Sequence, residues 1–210
     1  MRRLMMLAMA LVFSASGAAA QDLTLPQPVN SGGPALYDSL KNRASATFSD
    51  FDKAGPALSD QTLSNLLWAT SGQNRAEKGW VVPMAHGYPP YCDVYVLNDN
   101  GVFLYKWADN SLQQISAQNM KDQAGGQGFV KNASCVFAFV ANLDALKGLN
   151  NDVTLAYTLT GAMTQNLYLA CQAEGVGARY IMTMSPGLGR ALGLNDQQKP
   201  IAIMALIKMP

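Results

Sequence analysis

Residues 151–185 read NDVTLAYTLTGAMTQNLYLACQAEGVGARYIMTMS, the stretch around which the rest of the chain can be placed. Leu155, Leu159, Ala162, Leu169 and Ala173 recur at helical spacing, and Met163, Leu167, Ala170 and Cys171 cover a neighbouring face. The pattern predicts a long central helix that is apolar over much of its circumference. Asp152 is suited to cap its start, because a carboxylate there accepts from free first-turn amides; Gly175 and Gly177 supply the backbone freedom that ends it. Gln165 and Asn166 interrupt the apolar surface and need hydrogen-bond partners from backbone, a neighbouring helix or a ligand. A short strand is expected over 178–184.

The same reading, carried along the chain, gives the other elements. Residues 22–33, with Pro26, Pro28, Gly32 and Gly33, form an extended arm without its own core, laid across the domain or a partner subunit. Pro34 opens a helix through Leu36 and Leu40 to about residue 43. Ser59 or Asp60 caps the next, whose apolar face is Leu63, Leu66, Leu67 and Thr70 and whose stop is Gly72. Residues 79–91 are rich in Gly, Pro and Tyr and are expected to be irregular. Residues 94–96 and 102–107 then make a hairpin around Asn98-Asp99-Asn100-Gly101. A short polar helix is expected over 116–123. The unbroken apolar run 135–140 predicts a central strand, residues 187–194 a short helix with Arg190 exposed, and 200–207 a final strand buried on both faces. The fold class that results is α+β, a mixed sheet sandwiched between helices with one long central helix.

Composition narrows what such a domain can do. Residues 1–20 carry Arg2 and Arg3, an apolar run from Leu4 to Phe13 and the small residues Ala18, Ala19 and Ala20, the pattern of a secretory signal peptide. The mature chain is then expected to start at Gln21, to be periplasmic or secreted, and to be organised as an arm over 21–33 and a single domain over 34–210. Of the 15 Lys and Arg the signal removes two and of the 14 Asp and Glu none, so the mature balance is 13 − 14 = −1. That excludes a strongly basic nucleic-acid protein, and no later stretch is apolar and long enough to span a membrane. Hydrophobic residues make up 49% of the chain, enough for one substantial core. Cys92, Cys135 and Cys171 are widely spaced in apolar contexts and are expected as buried thiols. His86 is the sole histidine, which removes most Ser-His, Cys-His and multi-histidine metal chemistry. Gly125-Gly126-Gln127-Gly128 is not a phosphate loop, since no Gly-Lys-Ser/Thr follows and a strand comes next.

Three segments, taken in order, resemble the nitroreductase superfamily of flavin enzymes, in particular its secreted or SagB-type single-domain members. They are Lys41-Asn42-Arg43-Ala44-Ser45-Ala46-Thr47-Phe48; Leu63 to Ala69 continuing to Gly72-Gln73-Asn74-Arg75 and Pro83-Met84-Ala85-His86; and Gln165 to Ala170 with Glu174-Gly175-Val176-Gly177. The resemblance implies an FMN-binding homodimer with each flavin at the subunit interface, passing electrons from a small-molecule donor to a nitro, quinone or related acceptor. It also implies the cofactor-binding residues: Arg43, Ala44 and Ser45 at the phosphate, Thr47 where the family has a second cation, Arg75, Met182 or Thr183 at the flavin N5, and Lys208 as a further charge. A phosphate of about two negative charges calls for such cations and hydroxyls. Taken alone, Arg43 reads as a solvated charge at a helix end. The chain departs from the family pattern at Thr47, Met84 and Gly87, so two alternatives stay open beside the oxidoreductase: a degenerate flavin-fold binding module, and an interaction protein using the arm and the aromatic loop around Tyr88 and Tyr91.

Overall fold

The structure is a computed structural model and describes residues 22–76, 79–85 and 90–209. The expected signal peptide, His86, Gly87 and Tyr88 lie outside the described residues.

Two apolar strands set the architecture. Strand β7 (Cys135–Asn142) alternates between two cores: Cys135, Phe137, Phe139 and Ala141 point to one, and Val136, Ala138 and Val140 to the other. A strand buried on both faces belongs in the middle of a sheet. It pairs with β4 (Cys92–Asn98) on one side and with the last strand, β9 (Gln198–Lys208), on the other. The full order is β1-β6-β5-β4-β7-β9-β8, adding β1 (Leu23–Thr24), β5 (Gly101–Lys106), β6 (Ser111–Ser116) and β8 (Val176–Ile181). Every one of these pairings is antiparallel, which corrects the expected mixed sheet within an otherwise α+β fold. Opposite Phe139–Val140 the register of β9 slips, so that Ile201 is an extra residue beside Pro200, whose missing N–H suits a bulge.

On the first face lie α2 (Asp60–Ser71) and α4 (Val153–Glu174). Leu66, Leu67, Met163 and Leu167 are buried there against Phe137, Phe139 and Met204. Ser59 caps α2 by accepting from the Thr62 amide at 3.1 Å, and Asp152 caps α4 by accepting from Thr154 at 2.9 Å. Gly175 ends α4 in the left-handed conformation at φ 61°, which an L side chain rarely adopts. The buried stripe of α4 is Ala156, Leu159, Thr160, Met163, Thr164, Leu167 and Cys171. Burial covers only part of the apolar circumference expected: Ala173 is exposed and Leu155, Ala162 and Leu169 are half-buried, because only the sheet side of the helix is fully covered. Asn166 donates to the Val81 carbonyl at 3.2 Å. On the second face Phe51, Leu188 and Leu192 pack on Val136, Ala138, Ile203 and Ala205, with α5 (Leu188–Ala191) supplying Leu188.

Three local expectations need correction. Residues 116–123 are not a helix: β6 ends at Ser116, and a 3-10 turn covers Lys121–Gln123. Ser116 accepts from the Gln118 amide and Asn119 from the Lys121 amide, which diverts the backbone from helical bonding. Residues 79–91 are not wholly irregular, because β3 (Gly79–Trp80) pairs with β2 (Gln73–Arg75), and the Trp80 ring packs edge-on against Trp107 with centroids 4.5 Å apart. The strand expected over 178–184 begins and ends earlier, as β8. The hairpin holds, with Gly101 at φ 138° and the Asn98 side chain accepting from the Asn100 amide. The arm lies across this chain's own domain: Leu25 is buried in the core, the Val29 amide donates to Asn65 at 2.7 Å, and β1 covers the edge of β6. Among the described residues no helix is long and apolar enough to cross a membrane, and no cluster of His, Cys, Asp and Glu could hold a metal ion.

Candidate functional site

The first helix, α1 (Leu36–Asn42), ends at Arg43, and residues 43–47 run beside β8, an edge strand of the sheet, before Phe48 leads into a 3-10 turn over Ser49–Phe51. Three contacts fix this segment. The Ala46 amide donates to the Ala178 carbonyl at 2.8 Å, Arg179 Nη1 donates to the Ala46 carbonyl at 2.7 Å, and the Ser45 and Tyr168 hydroxyls lie 2.9 Å apart. Tyr168, on α4, also accepts from the Tyr180 amide at 2.9 Å, so one phenol ties the helix, the strand and the segment together. The Arg43 guanidinium carbon stands 5.1 Å from the centroid of the same ring. Arg179 stacks on Phe48 at 4.0 Å.

A cleft of about 440 Å³ opens between this segment and the end of α4, bordered by Ser45, Thr47, Gln172, Gly175 and Gly177. Gly177 permits the close approach, because a Cβ there would meet Ile207 and Met209 at 2.9 Å and Ala46 at 3.2 Å. Ala44, Ser45 and Thr47 are thus brought together on one rim, whereas Arg43, over the Tyr168 ring, is not among the residues that border the cleft. Lys208 lies nearby, but its amine donates to the Glu174 carbonyl at 2.9 Å, at the C-terminal end of α4 where a cation is favoured. Met182 and Thr183 follow β8, and the Thr183 carbonyl accepts from the Gly126 amide at 2.9 Å. Met182 is 66% exposed, and the buried Gln127 side-chain oxygen beside this junction has no hydrogen-bond partner. Arg75 sits exposed on the β2–β3 hairpin and is not part of the cleft rim. Met84 packs against the core beside α2 and α4.

The residues fit the phosphate end of a flavin nucleotide. A guanidinium held over a ring and an exposed serine hydroxyl are the donors that a phosphate needs. At Thr47 the chemistry is different. The Asp50 carboxylate accepts from the Thr47 amide at 2.6 Å and from its hydroxyl at 2.8 Å, so both donors face an anion of this chain. Thr47-Phe48-Ser49-Asp50 has the spacing of a capping box, a signal present in the sequence. Tyr168 and Arg179 were missed as site residues. Tyr168 falls inside the helix motif but reads there as packing, and Arg179 is conspicuous only as a charge on an otherwise apolar strand.

A family model described as the nitroreductase family matches residues 47–206 of this chain. Among solved structures, a protein from Ralstonia eutropha JMP134 assigned as a nitroreductase is 28% identical, with 92% of each chain covered and a TM-score of 0.82. A protein from Desulfovibrio desulfuricans assigned as a nitroreductase and solved in complex with FMN is 17% identical over 85% of this chain and 88% of that one, with a TM-score of 0.59. The Escherichia coli microcin synthetase McbBCD complex with truncated pro-MccB17 bound has a chain 15% identical, with 99% of this chain and 85% of that one covered and a TM-score of 0.67. No curated protein sequence matches the chain.

Proposed function

The chain belongs to the nitroreductase family, and we propose that it is an FMN-dependent oxidoreductase that reduces nitro, quinone or related small molecules in alternating half-reactions. The observation that carries this reading is the joint placement of Arg43 and Ser45 around Tyr168, with Ser45 on the rim of an open cleft. When bound, the flavin would supply the two-electron redox chemistry of the reaction. Arg43 would neutralise phosphate charge, and Ser45 would donate to a phosphate oxygen. Arg179 keeps the segment seated on β8, and the backbone at Met182–Thr183 would face the flavin ring.

The proposal includes a homodimer exported to the periplasm or secreted. Leu36, Tyr37 and Leu40 of α1, with Tyr157 on the outer side of α4, are exposed apolar groups suited to a second copy. Export rests on the signal-like residues 1–20. A second reading, a flavin-fold module without redox turnover, is favoured by one observation: the Asp50 carboxylate stands at Thr47, where the family resemblance implies a cation.

The test is to produce the chain from Gln21 onward, load it with FMN, remove the excess by gel filtration and record the visible spectrum with the apparent mass. Flavin co-eluting with a dimer supports the oxidoreductase, and Arg43→Ala should then lose flavin while melting near the parent temperature. A folded, colourless protein refutes it and leaves the second reading.

A further inference from the structure

Resting on the flavin reading above, we propose that Tyr168 is a positioning residue that makes Ser45 a donor to the terminal phosphate, so that this site selects phosphorylated over unphosphorylated flavin. The argument follows the protons. A tyrosine hydroxyl carries one proton and accepts through its oxygen. The Tyr180 amide can only donate, so the Tyr168 oxygen is the acceptor in that 2.9 Å contact. Among the described residues the other hydrogen-bond partner of the phenol is Ser45 Oγ, also at 2.9 Å. With its acceptor side engaged by Tyr180, the phenol has Ser45 Oγ as the acceptor for its proton among the described residues, and we assign the proton to that bond.

The Ser45 hydroxyl is then left as an acceptor from Tyr168 and a donor with its own proton unused, since its side chain makes no other hydrogen bond among the described residues. Ser45 is exposed on the cleft rim, so that proton is available to an incoming acceptor. A hydroxyl that already accepts a hydrogen bond is polarised into a better donor. The ring also fixes the cation, because Arg43 lies over its face. One side chain therefore orients both a guanidinium and a hydroxyl before any ligand arrives. Because Ser45 is flanked in sequence by Arg43 and bonded through a rigid aromatic, the pair suits a dianionic phosphate monoester and bonds the neutral hydroxyls of a ribityl chain more weakly.

The test compares FMN with riboflavin, which lacks the phosphate, on the mature chain and three variants: Ser45→Ala, Tyr168→Phe and the double substitution. Dissociation constants are read from flavin fluorescence quenching. Tyr168→Phe removes a single oxygen and keeps the ring under Arg43, and far-UV dichroism with a thermal melt checks that each variant folds. Each single substitution is expected to weaken FMN about tenfold, the scale of one hydrogen bond to a charged acceptor, and to leave riboflavin unchanged. The double variant should be no weaker than Ser45→Ala alone, because the phenol acts through the serine. An equal loss for both flavins, or two losses that multiply, overturns the positioning role while the cofactor reading stands. A wild-type chain that binds neither flavin overturns the cofactor reading itself and this inference with it.

Discussion

Arg179→Ala is the substitution that separates the seating of residues 43–48 from the integrity of the fold. The guanidinium makes two contacts with that segment: a 2.7 Å hydrogen bond to the Ala46 carbonyl and a stack on Phe48 at 4.0 Å. A charged donor on a carbonyl is worth about 1.5–3 kcal/mol net, and an exposed cation–π contact about 0.5–1 kcal/mol. The sum, about 2–4 kcal/mol, acts on local opening, because the body of the domain does not depend on it. Phe48 also touches Phe129 with ring centroids 5.3 Å apart, and Ser45 keeps Tyr168, so the segment is loosened and not released.

The observable is exchange of the Ala46 amide, which is bonded to the Ala178 carbonyl and is protected only while the segment is seated. A loss of about 2–4 kcal/mol accelerates its exchange roughly 30- to 1000-fold under native conditions. The urea midpoint should fall little, by the equivalent of about 1 kcal/mol or less. Arg179→Lys should recover part of the protection, since an ammonium can reach the carbonyl but cannot stack as a plane. Unchanged Ala46 exchange in a folded Arg179→Ala protein would refute the reasoning, and so would a collapse of global stability equal to the local loss.

Two further outcomes are expected. Burial raises the Asp93 carboxyl above its ordinary value, against the lowering effects of hydrogen bonds from Asn142 and Gln198 and of the Lys106 charge. Its contribution to stability is thus fully present below the unfolded-state value and lost as pH rises through the folded-state one, so Asp93→Asn should gain stability over the parent at about pH 7.5 and lose that advantage near about pH 4; urea midpoints that differ equally at both pH values would contradict this. Burial likewise pushes the Cys92 thiol up to about 12 and raises Cys135 and Cys171. An aromatic disulfide reagent at about pH 8 should find no reactive thiol in the native chain and all three after denaturation, and rapid native labelling would show that one of the buried positions is misplaced.

The parts of the fold that were legible in the sequence are those where one local signal decides the outcome. Asp152 and Gly175 bound α4 because a carboxylate and a left-handed glycine are the local solutions for helix ends. The run 135–140 announces a central strand because nothing polar in it could face water. The errors lie where the decision is tertiary. Residues 116–123 have helical composition, but Asn119 donates to Asp99 and the Lys121 amine to the Ala133 carbonyl, contacts with other parts of the chain that local pattern does not show. Leu155, Ala162 and Leu169 of α4 are apolar as well as its buried stripe, and only the position of the sheet shows which of these residues this chain covers fully. In the site, Arg43 and Ser45 were visible through a motif, whereas Tyr168 and Arg179 gain meaning only when α4 and β8 bring them to the same segment.

The site and the edge of the sheet are managed by the same residues. Strand β8 is the last in the sheet, so on its free side alternate residues present unpaired backbone groups, a template for uncontrolled pairing with another chain. Two of those groups are satisfied from outside the sheet: the Ala178 carbonyl by the Ala46 amide, and the Tyr180 amide by the Tyr168 hydroxyl. Both covers belong to the constellation that holds Arg43 and Ser45. Residues 43–48 are therefore also the cover on an edge strand, and their seating is under structural demand whether or not a ligand is present. It follows that these side chains are held in place by the fold itself, and that substitutions which unseat them should raise the tendency to self-associate along β8 together with the loss of flavin that the proposed function predicts.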